Sequence, residues 1–146
     1  MIGTDANLQT LLDIEEIKQL KARYFRLMDT KDWDAFRELF TPDVVVDVSG
    51  DASGIYEGVD AFLAMLLPAL SNVETVHHGH MPEIEITSPT SATGIWAMED
   101  RLRFADDAPI STLHGFGHYH DTYRKSGDGS WRIASTRLSR LRTDIT

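Results

Sequence analysis

The chain has 146 residues, of which 42% are hydrophobic and 25% are charged, a composition that is typical of one folded domain and excludes a disordered segment. It carries 23 acidic residues against 14 basic ones, and the formal net charge of −9 disfavours nucleic acid and membrane surfaces as partners. The sequence contains no cysteine, which excludes disulfide bonds and thiol catalysis and fits a cytoplasmic protein. From the length we expect one domain over residues 1–146, with residues 1–10 as a lead-in and 143–146 as a short tail.

The first part of the chain has the apolar spacing of helices. Six residues recur at intervals of three and four and predict a long first helix: Leu11, Ile14, Ile17, Leu20, Tyr24 and Leu27. Charged residues, Lys21 among them, fall elsewhere on the helical wheel. Asp32 can cap a second, short helix that carries Phe36 and Phe40 and that Thr41-Pro42-Asp43 ends. A β-branched strand, a polar loop and a third helix that Pro68 bends or shortens are predicted at residues 44–48, 49–54 and 59–70.

From His77 onward the pattern is that of an antiparallel sheet. Four long strands are predicted, at residues 75–87, 92–104, 113–125 and 131–141. A short hairpin turn at residues 88–91 and a glycine-rich turn at residues 127–129 separate them. Because helices come first and long strands follow, we predict an α+β fold: three N-terminal helices pack on a curved antiparallel sheet and form a cone that encloses an apolar pocket.

One carboxylate interrupts an apolar strand face. Along residues 92–104 alternate side chains point to opposite faces, and the apolar set contains Trp96, Met98 and Leu102 together with Asp100. A buried carboxylate needs a partner or takes up a proton. Asp100 is therefore either half of a structural hydrogen-bonded pair or a tuned acid in a pocket.

The six histidines fall into two clusters: His77, His78 and His80, then His114, His118 and His120. Histidine is the side chain that most readily exchanges protons near neutral pH. His77 and His80 with an acid suggest a metal site, but strand residues three apart point to opposite faces and cannot share one ion without a bulge. We therefore expect no metal, and for His78, His118 and His120 the residues alone favour a structural or exposed role.

Three further residues have two interpretations each. Tyr24 lies on the apolar stripe of the first helix and is either a core tyrosine or a phenol that donates a hydrogen bond into a cavity. Asp29 follows that helix and is either an ordinary turn residue or a functional acid. Arg140 lies near the end of the chain, where an arginine is usually solvated. Spacing alone does not assemble these groups into one site.

Four segments carry a resemblance to a known family. They are DIEEIKQLKARYFRLMD with the WD at residues 33–34, HHGHMPEIEI, ATGIWAMEDRLRF and HGFGHYHDTYRK. These segments resemble the SnoaL-like group of the nuclear-transport-factor-2-like superfamily, and within it the bile-acid 7-alpha-dehydratases and, more distantly, the scytalone dehydratases. The resemblance covers about residues 13–142 and implies the cone-shaped α+β fold.

The resemblance also implies a set of catalytic residues. The positions that match the tyrosine, the two aspartates, the histidine and the last-strand arginine of the bile-acid enzymes are Tyr24, Asp29, Asp100, His77 and Arg140. In this interpretation His77, held by Asp100, removes a carbon-bound proton, and Tyr24 stabilises the enolate oxygen. Protonated His77 or Asp29 then protonates the departing hydroxyl, and Arg140 adds positive charge near the oxyanion.

The predicted function is that of a cofactor-independent dehydratase acting on an apolar, ring-containing, steroid-like hydroxy-ketone. Five residues are expected to line the substrate pocket: Trp96, Met98, Leu102, Phe116 and His118. An isomerase or a polyketide-type cyclase using the same pocket remains an alternative, as does a non-catalytic protein that binds apolar ligands or serves as a partner subunit. The resemblance implies a homo-oligomer, either a trimer or a dimer, and the sequence leaves open whether His78 or His80 lines the pocket.

Overall fold

The computed structural model describes residues 2–51 and 54–146 of the chain. Its helices and strands follow in this order: α1 (Ile2–Asp29), α2 (Trp33–Arg37), β1 (Phe40–Asp47), a single 3-10 turn (Ser49–Asp51), β2 (Ile55–Glu57), α3 (Val59–Leu70), β3 (Glu74–Ser88), β4 (Ser91–Arg103), β5 (Thr112–Lys125) and β6 (Trp131–Ile145). The predicted α+β order, with three helices ahead of four long strands, is confirmed.

The strands form one curled, unclosed sheet with the order β2-β1-β6-β5-β4-β3. The long strands β3 to β6 pair antiparallel with their chain neighbours, and β1 joins the far side of β6 as a parallel strand. The helices pack on the sheet and bury one apolar core. Ile17, Leu20, Tyr24 and Leu27, four of the residues whose spacing predicted the first helix, are all buried in that core.

Several element boundaries differ from the predicted ones. Phe40 and Thr41-Pro42-Asp43 belong to β1 and do not end a helix. The strand accommodates Pro42 because the pairing with β6 shifts register between Phe40 and Val45, where a missing N–H is tolerated. The three-residue strand β2 was not predicted, whereas α3 has the predicted bounds, with Pro68 inside the helix and not at its end.

Both chain ends are more regular than predicted. Helix α1 begins at Ile2 and includes most of the expected lead-in, and β6 continues to Ile145 and includes most of the expected tail. The end of β6 is held because Thr146 exchanges backbone hydrogen bonds with Thr112, the first residue of β5. No described helix is both long and apolar enough to cross a membrane.

Candidate active site

A cavity of about 480 Å³ lies between the helices and the concave side of the sheet. Most of its wall is apolar and comes from α1, α3 and the ends of the long strands: Met28, Val48, Phe62, Met65, Leu66, Ala69, Leu70, Leu102, Leu113, Leu138 and Ile145. Seven polar side chains also reach it: Tyr24, Asp51, His77, Asp100, Tyr119, Arg140 and Thr143. An apolar cavity with a few convergent polar groups is the usual form of a small-molecule site.

The end of α1 places a carboxylate against His77. Asp29 is the last residue of α1. In the turn that follows, the ammonium of Lys31 donates a 2.7 Å hydrogen bond to the carbonyl of Val73, the residue just before β3. Thr75 and His77, alternate residues of β3, therefore face Asp29. The Thr75 hydroxyl and the His77 backbone N–H donate to its carboxylate at 2.8 and 2.9 Å, and His77 Nδ1 lies 2.7 Å from Asp29 Oδ1.

These contacts determine the ionisation of Asp29. Partial burial raises the pKa of its carboxyl, but the hydrogen bonds from the His77 ring, the His77 backbone and Thr75 outweigh burial and leave the pKa below its usual value. Asp29 is therefore a carboxylate at neutral pH. It accepts a hydrogen bond from the Nδ1–H of His77, which fixes the tautomer and the orientation of the imidazole.

The prediction that Asp100 holds His77 is wrong. The two residues are direct partners in the β3–β4 pairing and line the same cavity, as the alternation predicted. Both carboxylate oxygens of Asp100, however, accept hydrogen bonds from Arg140, at 2.7 Å from Nη1 and 2.9 Å from Nη2. Asp100 is thus one half of a buried bidentate ion pair, and the acid that orients His77 comes from the helix end.

A glycine makes room for this ion pair. Gly115 lies on β5 between the side chains of Asp100 and Arg140, and a β-carbon at this position would clash with Arg140 Nη1 and Asp100 Oδ1. Arg140 is mostly buried, contrary to the solvated position that its place near the chain end suggested. Burial lowers the pKa of its guanidinium, but the hydrogen bonds to Asp100 and Asp51 outweigh burial and raise the pKa above its usual value.

Tyr119 is a site residue that the sequence interpretation missed. It lines the cavity beside Tyr24, with ring centres 5.8 Å apart. Burial raises the pKa of both phenols, and the negative charge of Asp121 raises that of Tyr24 further. Both stay protonated at neutral pH and can donate. The alternation of β5, in which Tyr119 shares a face with Asp121 and Tyr123, is the signal that could have identified it.

A fully buried ion pair supports the two tyrosines. Lys21 Nζ lies 2.8 Å from Asp121 Oδ2, and neither side chain is exposed to solvent. The ammonium is also 4.1 Å from the ring centre of Tyr24 and 3.9 Å from that of Tyr119, so it interacts with both π faces. The sequence placed Lys21 away from the apolar stripe, but its position three residues before Tyr24 brings it to the buried side of α1.

Only one of the five predicted pocket residues lines the cavity, namely Leu102. Met98 is buried just behind it, with its sulfur 3.9 Å from Arg140 Nη1. Trp96 belongs to the core and donates to the Tyr123 hydroxyl at 2.9 Å. The predicted pocket positions of Phe116 and His118 are wrong, because they pair with Glu99 and Ala97 on the opposite face of the sheet.

The other histidines also lie outside this cavity. His78, His80 and His114 surround Glu99 on the opposite face at 3.8, 3.9 and 4.0 Å, and His120 Nε2 is 3.1 Å from the Ser139 hydroxyl. His78 and His80 are more than half exposed beside a separate shallow depression. Among residues 2–51 and 54–146 no group of three histidine, aspartate or glutamate side chains is arranged to hold a metal ion.

Comparisons with solved structures support the fold. A candidate scytalone dehydratase from Novosphingobium aromaticivorans has a TM-score of 0.86 at 22% identity, over 96% of this chain and 91% of that one. A hexachlorocyclohexane dehydrochlorinase of type 3 from Novosphingobium barchaimii has a TM-score of 0.83 at 16% identity, over 96% of this chain and 94% of that one. At such identities the likeness concerns the fold alone.

Comparison of sequences identifies the family. A probable cyclase from Gibberella zeae is 27% identical over 134 residues, which cover 86% of this chain and 89% of that protein. The model of the SnoaL-like domain matches residues 9–137, which is most of the chain. The fold, the apolar cavity and this match agree, and the chain belongs to the SnoaL-like domain family.

Proposed function

We propose that this protein is a cofactor-independent hydro-lyase that removes water from an apolar, ring-containing hydroxy-ketone. The observation that carries the proposal is the imidazole of His77, held through Nδ1 by the Asp29 carboxylate at 2.7 Å inside an apolar cavity that two protonated tyrosines also line. Catalysis rests on His77, Asp29 and Tyr24, with Asp100 and Arg140 as the neighbouring charged pair. The large apolar wall supports a ring-containing substrate.

His77 is the proposed general base. Because Nδ1–H donates a hydrogen bond to Asp29, Nε2 carries the lone pair that can remove a proton from the carbon next to a carbonyl. The imidazolium formed in that step is stabilised by the adjacent Asp29 carboxylate. A base positioned in this way contributes roughly 10²–10⁴-fold to the rate.

The two tyrosines are suited to the enolate oxygen. Tyr24 is buried and stays protonated, and Tyr119 lies beside it in the same cavity. Either hydroxyl can therefore donate to the oxygen on which negative charge develops. A preorganised donor of this kind contributes about 10²–10³-fold.

The elimination is completed when the carbon–oxygen bond breaks. The electron pair of the enolate forms the new carbon–carbon double bond, the hydroxyl leaves, and the proton on His77 Nε2 passes to it to give water. His77 thus returns to its starting state, and no electrons are gained or lost overall. This cycle needs no group beyond the side chains present.

The named relatives support a reaction of this type. A dehydratase and a dehydrochlorinase both eliminate a small molecule, and a cyclase forms a ring. Removal of a carbon-bound proton can begin each of these reactions. Ring closure in the same cavity is therefore the second candidate, and the probable cyclase at 27% identity favours it.

A panel of ring-containing β-hydroxy-ketones tests the proposal, with the products followed by mass spectrometry. Loss of water supports the lyase, whereas products with the mass of the substrate indicate ring closure or isomerisation. We expect His77→Ala to lower turnover by at least about 10²-fold while the protein stays folded. His78→Ala is the matched control, because its side chain lies on the opposite face of the sheet. A folded His77→Ala variant with unchanged turnover would remove His77 as the base.

A further inference from the structure

The guanidinium of Arg140 is held by two carboxylates at once. Along one edge Nη1 and Nη2 donate to Asp100 at 2.7 and 2.9 Å. Along the other edge Nε and Nη2 donate to Asp51 at 2.8 and 3.0 Å. Each edge therefore makes the planar, two-point contact by which arginine recognises a carboxylate. Because both edges are occupied, Arg140 has no free planar edge for a bound molecule.

The two carboxylates are not equivalent. Asp100 is 6% exposed and lies on the interior strand β4, whereas Asp51 is 32% exposed and ends the 3-10 turn between β1 and β2. One guanidinium between two carboxylates leaves one negative charge in excess. If Asp100 were released, it would remain buried without a partner, which is strongly unfavourable. If Asp51 is released, its carboxylate can become hydrated at the cavity edge, so Asp51 is the exchangeable partner.

We propose that the Nε–Nη2 edge of Arg140 is a binding site for the carboxylate of the substrate, and that Asp51 occupies it while the cavity is empty. Asp51 then keeps the guanidinium oriented and its charge compensated until a ligand arrives. A ligand carboxylate attached to an apolar ring gains contacts with Val48 and Leu138, which line the same cavity, and these contacts favour the exchange. The preferred substrate therefore combines an apolar ring system with a carboxylate.

This inference deepens the proposed function and rests on it only for the reaction, because the binding site itself can be tested without turnover. The probes are 2-naphthoate and 2-naphthamide, which share one ring system and differ in charge. We expect the wild-type protein to bind 2-naphthoate about tenfold or more tightly than 2-naphthamide in isothermal titration calorimetry, since a charged two-point contact replaces a neutral one.

The decisive variant is Asp51→Ala, which removes the internal competitor. Its affinity for 2-naphthoate should rise by about tenfold, whereas its affinity for 2-naphthamide should change less than twofold. Asp43→Ala is the matched control. It removes one negative charge and one aspartate–arginine contact, the 2.7 Å pair with Arg124, from an exposed position that does not line the cavity. It should change neither affinity.

If Asp51 were a permanent structural clamp, Asp51→Ala would weaken the binding of both probes or leave both unchanged, and either result overturns the inference. A wild-type crystal soaked with 2-naphthoate gives a second test if the variant folds poorly. The probe carboxylate should lie on Nε and Nη2 of Arg140 with Asp51 displaced; 2-naphthoate bound elsewhere, or no binding, overturns the proposal. If hydroxy-ketones are turned over but 2-naphthoate does not displace Asp51, only this inference is refuted. If 2-naphthoate displaces Asp51 but no hydroxy-ketone is turned over, only the proposed lyase activity is refuted.

Discussion

The absence of a side chain at position 115 allows Asp100 and Arg140 to meet, and Gly115→Ala tests how much the pair depends on it. The added β-carbon would clash with Arg140 Nη1 and Asp100 Oδ1, since both atoms lie inside the 3.0 Å limit that real β-carbons essentially never cross. Because both groups are largely buried and are joined by two hydrogen bonds, neither can move away without weakening the pair. We expect the free energy of unfolding to fall by about 1–3 kcal/mol, the usual cost of overpacking a well-packed site.

Urea unfolding followed by circular dichroism measures this change. Gly127→Ala is the matched control, since no heavy atom lies within 4 Å of a β-carbon at that position. The same substitution should also cost less in an Arg140→Ala background, where the closest contact is gone, so a double-mutant cycle should show coupling. Equal losses for Gly115→Ala and Gly127→Ala, or no coupling with Arg140→Ala, would refute the reasoning.

Three further predictions follow from the charged and phenolic groups around the cavity. Asp29→Asn should lower turnover by at least about 10²-fold, because the imidazole of His77 loses the carboxylate that orients it. Because the pKa of Asp29 is lowered in the folded protein, its carboxylate stabilises the fold above about pH 4, and this stabilisation is lost as the pH falls further. In urea unfolding, the stability of Asp29→Asn should therefore fall less than that of the wild-type protein over this acid range. Burial raises the pKa of Tyr24, so its phenol ionises first in the unfolded chain, and the wild-type protein should lose stability as the pH rises above about 10. Tyr24→Phe should make the fall of the unfolding free energy with pH less steep, by up to about 1.4 kcal/mol per pH unit. Lys21→Met should destabilise the fold by about 3–5 kcal/mol, because the buried Asp121 carboxylate is left without a positive charge beside it. The double variant Lys21→Met/Asp121→Leu should recover most of that loss in thermal unfolding.

Local patterns in the sequence were enough for the elements and for part of the site. The spacing of Ile17, Leu20 and Tyr24 predicted the buried side of α1, and all three are in the core. Alternation along β4 identified Asp100 as a carboxylate on the buried face, which the structure confirms. The resemblance also selected His77, and the structure places it in the same cavity. These predictions succeeded because side-chain direction within one helix or strand depends on residues close together in the chain.

The two faces of β5 show where such patterns fail. The sequence predicted a pocket position for Phe116 and His118, and not for Gly115, Gly117 and Tyr119 on the other face of the strand. The structure turns the second set inward, because Gly115 is paired with Asp100 and its missing side chain leaves room for Arg140. Alternation separates two faces but does not say which of them is buried, so the pairing with β4 decided this.

The chain alone thus determined the helices, the strands and a short list of polar residues that could react. Only the tertiary structure decided which of them are partners: Asp29 with His77, and Asp100 with Arg140 and Asp51. These contacts join residues 40 to 89 positions apart. The choice between two carboxylates for one imidazole depends on where α1 ends relative to β3 and on the curvature of the sheet, which are properties of packing and not of local sequence.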